Sequence, residues 1–395
     1  MTQLLEEYLV CLEWQQDKYL REKLLISAFE RRNIDFEEFK KKTGVLIKEL
    51  DNLPFRDEDY YFSKMEMQRK LYYQSNANGE IETDEIIESV IENLDSFYSL
   101  ARLKITNEIS ALKDSKSASV SKKQAEILDG NNSLLQIYSN IKKLYEQNGE
   151  IIYMHTKNLF VESIEMIRPS EQKFVIKFLL GFAIRQVRVD PKYLREIFNL
   201  YKIAHENNLL VINGILTNAT FINIVTTASR IGEFDWAELF VDKNQEKIES
   251  KTKNEIIALG RGFIAFYKWE FSNVIDLLSN LDFKDILYQL LAKSLSLQAY
   301  FELFLKNESY FAFIKTYSQA FEKYLSRNPE IGKKKLNSYI SFIRFVKSLA
   351  GIIYHKELTE ERRLMLLKEL ERKKEIVERN WLKSKIEENR RGTIK

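Results

Sequence analysis

Between residues 221 and 278 one pattern of apolar and small residues occurs twice, with Phe234 and Phe271 at matching points 37 residues apart. A unit that short cannot bury its own apolar face and must stack on a neighbour. This constrains the fold more than any other stretch. In the first copy Phe221, Ile224, Val225 and Ala228 lie at helical spacing, Gly232 marks a turn, and Phe234, Ala237, Phe240 and Val241 belong to a second helix. In the second copy Ile256, Leu259, Gly260, Phe263 and Tyr267 form the first stripe. Phe271, Val274, Ile275 and Leu278 then follow at i, i+3, i+4 and i+7.

The rest of the chain is compatible with such an array. Only 12 Gly and 4 Pro punctuate 395 residues, which leaves material for long helices and little for hairpin turns of strands. An all-α protein follows.

The duplicated stretch resembles the tetratricopeptide repeat, in which small residues let two antiparallel helices approach and an aromatic after the turn wedges them. There are departures. The tryptophan of that pattern is Phe221 in one copy and Ala258 in the other, its glycine is Gly232 and then Trp269, and Ala237 becomes Val274. The offset is 37 residues against the family's usual value of about 34. The segment 232–345 is also similar to a group of uncharacterised bacterial helical-repeat proteins, a resemblance that implies a helical-repeat fold and no activity. The expected fold is a right-handed α-solenoid of stacked antiparallel helical hairpins.

Taken in order, the chain gives helical patterns over residues 3–31 and 35–50, then a break at Pro54, since proline disfavours helix in the residue before it. A loop at 76–79 precedes a helix capped by Thr83 and running to about 112. The Ser- and Lys-rich start of 113–131 marks that span as a mobile loop between an N-terminal helical region, 1–112, and the repeats, 132–355. Helix pairs are predicted over 133–147 with 150–167, 170–187 with 191–206, and 284–305 with 309–325, followed by a helix over 335–354. The last segment, 356–395, holds 13 basic and 9 acidic residues over an apolar stripe, as suits one helix over 360–389 that caps a stack, with a basic tail.

Catalytic patterns are missing from the sequence. His155, His205 and His355 are far apart and within helical patterns. There is no HExxH, no paired cysteine and no calcium-loop spacing, so neither cofactor nor metal is expected. Helical dimeric ribonucleases place a histidine soon after an arginine. Here Arg195 precedes His205 by ten residues and Arg344 precedes His355 by eleven, too far for that motif. Gly260, Arg261 and Gly262 sit in a helical pattern with no strand before them, which reads as close packing rather than a phosphate loop. Cys11, the single cysteine, reads as a small core residue; a disulfide within the chain is excluded. With no signal peptide at the start and no apolar run long enough for a membrane span, a cytoplasmic location is expected.

Charge bounds the partners. A net charge of +3 from 61 basic and 58 acidic residues is too even to mark a polyanion binder. Basic triplets at Lys40, Lys41 and Lys42, at Lys333, Lys334 and Lys335, and at Arg372, Lys373 and Lys374 keep a nucleic-acid-binding accessory protein as the alternative reading. The leading expectation is a non-enzymatic scaffold or adaptor that binds a protein or peptide on the inner face of its repeats. The resemblance places Ile222, Thr226, Ser229 and Arg230 on that face in the first copy, and Leu259, Phe263, Phe266 and Tyr267 in the second. Chaperone-tail binders of the family clamp a carboxylate with Lys and Asn, where this chain has Ile222 and Thr226, so that recognition is not implied.

Overall fold

The computed structural model describes residues 36–79, 84–113 and 132–388, apart from positions 148, 188, 250, 280, 282, 329 and 374. The expected first helix, Cys11, the Thr83 cap, nearly all of the 113–131 segment and the basic tail lie outside the described residues. Those residues are helical with no strand among them; one isolated antiparallel bridge joins Ile212 to Ile215. Consecutive helices pack pairwise, and the chain divides into two compact units at residues 209 and 210.

The first unit contains α1 (Phe36–Asp51), α2 (Glu58–Ala77), α3 (Asp84–Lys113), α4 (Ser133–Gln147), α5 (Glu150–Glu162), α6 (Pro169–Gln186) and α7 (Tyr193–Glu206). Asp57 caps α2 by accepting from the Tyr60 amide at 3.0 Å, and its other oxygen accepts from Arg168 Nε at 2.6 Å. Pro169 occupies the first turn of α6, where its missing amide costs nothing. Two residues on, Glu171 is buried with its carboxylate between Lys104 Nζ of α3, at 2.7 Å, and the Tyr138 hydroxyl of α4. Burial and then the Glu171 charge push the Tyr138 phenol far above its ordinary range, so it stays a donor. Three helices are thus tied by one buried carboxylate.

The second unit contains α8 (Asn218–Arg230), α9 (Phe234–Asn244), α10 (Lys253–Tyr267), α11 (Phe271–Leu278), α12 (Ile286–Lys306), α13 (Phe311–Arg327), α14 (Lys333–Tyr354), α15 (Glu360–Arg372) and α16 (Arg379–Glu388). The pairs α8 with α9, α10 with α11, and α12 with α13 form hairpins, and α10 also packs against both α8 and α12. Gly260 permits the first of these approaches: a Cβ there would lie 2.9 Å from Phe221 Cε1. Gly262 faces Leu278 of the hairpin partner instead. These two glycines serve packing inside a helix.

The turns at the 37-residue offset share one backbone geometry. After α8, Gly232 takes φ 82° and the Glu233 amide donates to Ala228 O at 3.0 Å; after α10, Trp269 takes φ 65° and the Glu270 amide donates to Ala265 O at 2.9 Å. A bond of this span with a left-handed residue before its donor closes the end of a helix by satisfying a terminal carbonyl. Two more helices end the same way. Asn208 after α7 has φ 55° and Lys356 after α14 has φ 58°, with the following amides bonded to Ala204 O and Ile352 O.

The C-terminal segment differs from the single helix expected over 360–389. It forms α15 and α16, separated by a bend in which half-buried Ile376 and Val377 pack against the core of this unit and Glu378 takes φ 53°. Arg379 holds the bend by donating to Leu370 O at 2.6 Å and to Lys373 O, carbonyls at the end of α15. No glycine or proline marks this break.

Candidate partner-binding face

The residues assigned to an inner face fall into two groups. Ile222, Ser229, Leu259 and Phe266 are buried. Ser229 donates to Val225 O at 2.7 Å, and Phe266 lies edge-on to Phe271, with ring centres 5.4 Å apart, as part of the hairpin wedge. Thr226, Phe263 and Tyr267 are half-buried, and Arg230 is exposed. These four have surface to offer a partner. The Thr226 hydroxyl is buried and makes no hydrogen bond among the described residues, a state that polar atoms in a protein interior seldom occupy.

Arg230 and Tyr267, at the last residues of α8 and α10, come together with a group the sequence did not point to, Glu378 of the α15–α16 bend. Glu378 keeps solvent contact along its length, yet enough protein surrounds its carboxyl to desolvate it. That desolvation pushes its pKa up, and the Arg230 guanidinium pulls it back. Burial raises the Tyr267 phenol to about 12, with Arg230 opposing and Glu378 reinforcing. Tyr339 of α14 is likewise raised to about 12, by burial first and then by Glu378. One cation, one carboxylate and two phenols, of which Tyr339 is buried, are therefore near enough to influence one another's charge.

Beyond Glu378, α16 lies against α12 and α14. Trp381 meets Phe301 and Phe342 edge-on, with ring centres at 5.4 and 6.2 Å, and its Nε1 donates to Glu302 Oε1 at 2.9 Å. Lys385 Nζ, one turn further, lies 2.9 Å from the same oxygen, and both charged side chains are only 6% exposed. Burial pushes the Lys385 pKa down, but Glu388 and Glu302 more than offset this and hold the ammonium charged. The same ammonium stands 5.7 Å from the ring centre of Trp269, whose side chain is 62% exposed at a backbone position disfavoured for any residue with a Cβ.

Sequence reasoning missed Trp269, Glu302, Glu378, Trp381 and Lys385. Trp269 alone carried a signal, as a bulky residue where the resemblance calls for glycine. Glu302 is one acidic residue among 58, and nothing local marks it as buried.

The other sequence features are scattered. Lys333, Lys334 and Lys335 are exposed at the start of α14, where Lys334 pairs with Glu375 at 3.0 Å; Lys42 pairs with Glu38, and Lys373 with Glu369. His155 and His355 are exposed and His205 is half-buried, each on a different helix or turn. Among the described residues no group of three or more His, Cys, Asp or Glu is placed to hold a metal ion, and no helix is long and apolar enough to cross a membrane. Comparison with family models, with curated proteins and with solved structures gives no match. The chain is therefore defined by its own architecture, an all-α protein of sequentially packed helices.

Proposed function

We propose that the chain is a non-enzymatic scaffold or adaptor whose second unit is a right-handed solenoid of tetratricopeptide-like hairpins, binding a protein or peptide on the face of their first helices. The observation that supports this reading is the set of half-buried Thr226, Phe263 and Tyr267 with exposed Arg230 on α8 and α10, first helices of hairpins that pack on one another. Half-buried aromatics beside an accessible arginine are the composition from which binding hot spots are built. The shared turn geometry after α8 and α10 supports the repeat assignment.

Photocrosslinking tests the proposal. A benzophenone side chain at Phe263 or Tyr267 is expected to give a discrete adduct with a second polypeptide, lost on Arg230→Glu and not formed from Leu239, an exposed position on α9. Adducts formed equally from Leu239, or unaffected by Arg230→Glu, would overturn it.

A further inference from the structure

In the first unit, α3 carries two apolar faces where a surface helix ordinarily has one. Asn93, Leu100, Leu103 and Asn107 are buried, and the helix packs on α2 and α4. About a third of a turn round the helix stand Ile87, Ile91, Leu94, Tyr98, Ala101 and Ile105, alternately four and three residues apart. Ile91, Leu94, Tyr98 and Ile105 are 45–58% exposed, and Ile87 and Ala101 are half-buried. The stripe runs about 27 Å along the helix axis. Half-buried Phe97 widens it toward α2, with its ring centre 5.3 Å from that of exposed Phe62. Apolar side chains scattered singly over a surface need no explanation, but a continuous stripe at heptad spacing is the seam of a helix pair. We propose that a second copy of the chain covers this stripe with its own, the two α3 helices running antiparallel.

Charge along the stripe selects both the occupant and its direction. Asp95 and Arg102 each directly follow a stripe residue, Leu94 and Ala101, and so flank it on the side away from Phe97. In an antiparallel pair with Tyr98 opposite Ala101 and Leu94 opposite Ile105, Asp95 of each copy meets Arg102 of the other. The contact is then self-complementary across a two-fold axis, as an interface between identical chains requires. A parallel pair would set Asp95 and Arg102 against Val90 and Phe97 instead. Shifting the antiparallel register by one heptad brings Asp95, or in the other direction Arg102, against its own copy. The chosen register also places the large Tyr98 ring over the small Ala101 on both sides of the axis. Arg102 donates to the Tyr98 hydroxyl at 3.0 Å, which keeps the guanidinium along the edge of the stripe.

The two kinds of contact divide the work. Exposed ion pairs add little to affinity, so the Asp95–Arg102 pairs fix the register while the four central layers, two of Leu94 on Ile105 and two of Tyr98 on Ala101, supply the attraction. At each end Ile91 lies along the methylene stem of Glu108 of the other copy. A seam of this length is short beside an obligate dimer interface, so the pair dissociates on dilution.

Sedimentation velocity on the full chain over a dilution series tests the proposal, and a monomer–dimer equilibrium is expected. Leu94→Glu, at an exposed position and with circular dichroism unchanged, should raise the dissociation constant at least about ten-fold, because it puts two carboxylates into the apolar seam. Asp95→Arg should raise it about three-fold or more, and Asp95→Arg together with Arg102→Asp should bring it back to the parent's value. Direction is read from disulfide trapping in a Cys11→Ser background. A Leu94→Cys chain mixed with a differently tagged Ile105→Cys chain should give the mixed product; chains linked only to their own kind would overturn the antiparallel pairing. A chain that stays monomeric at every concentration, or a dimer indifferent to Leu94→Glu, would show that a second copy does not cover this face and would overturn the proposal.

Discussion

Replacing Gly260 by alanine probes the closest approach in the second unit. Two terms of known sign oppose each other. Alanine in place of glycine in a helix interior gains about 1 kcal/mol. The added Cβ, however, would stand 2.9 Å from Phe221 Cε1, 3.5 Å from Cζ and 3.7 Å from Val225 Cγ1. Phe221 is fully buried and its ring centre is 5.9 Å from that of Phe240, so it cannot swing aside without moving α9. Forcing a methyl into such packing costs about 1–3 kcal/mol, which leaves Gly260→Ala net destabilising by about 1 kcal/mol. Phe221→Leu removes the atoms in conflict and alone costs roughly 1 kcal/mol. In that background Gly260→Ala should become neutral or stabilising, giving a coupling of about 1–2 kcal/mol in a double-mutant cycle. Urea unfolding followed by tryptophan fluorescence measures it, with Trp236 stacked on Phe240 as the nearest reporter. If Gly260→Ala stabilises both backgrounds equally, the packing argument for this glycine is wrong.

Three further outcomes are expected. Trp269→Gly relieves a left-handed backbone at the expense of an exposed ring, so stability should stay level or rise by up to about 1 kcal/mol in thermal unfolding; a loss larger than that would mean the indole contributes more than its strain costs. Glu171→Gln leaves Lys104 with Glu58, at 3.8 Å, as its one remaining ion pair among the described residues, and because Lys104 is 30% exposed the loss should be about 2 kcal/mol rather than the larger figure for a fully buried pair; a change below about 0.5 kcal/mol in urea unfolding would refute it. Burial raises the Glu378 carboxyl above its unfolded value, so its contribution to stability is fully present below the unfolded pKa and is lost as pH rises through the higher folded one. Glu378→Gln should therefore match the parent near about pH 4 and be the more stable of the two at neutral pH; the reverse order in paired melts would show that Arg230 outweighs desolvation.

Helix existence was legible because periodic apolar stripes and scarce breakers are local signals. The pattern over 35–50 corresponds to α1, and Pro169 stands at the start of α6. The turn after α10 was legible only as a departure, since its left-handed residue is Trp269 instead of glycine. The division of the C-terminal segment was illegible. It is made by Ile376 and Val377 reaching the core and by Arg379 capping α15, all contacts that local patterning does not encode. The candidate face was half legible. A repeat alignment reaches Arg230 and Tyr267, but it cannot say that Ile222 and Phe266 are consumed by packing, nor that Glu378 arrives from more than a hundred residues away in the chain. Buried Glu171 and Glu302 were beyond reach for the same reason: their burial follows from which helices meet.

The four left-handed helix ends have a consequence for how such a chain can diversify. At Asn208, Gly232, Trp269 and Lys356 the route of the backbone is set by main-chain hydrogen bonds, and the side chain at that point is the one the turn does not use. An amide, a hydrogen atom, an indole and an ammonium are all accommodated, at a penalty on the order of 1 kcal/mol for those with a Cβ. Each helix end thus offers a site whose lettering is decoupled from its geometry. There the chain can carry a different side chain, as it carries an exposed indole at Trp269, without redrawing the fold beneath it.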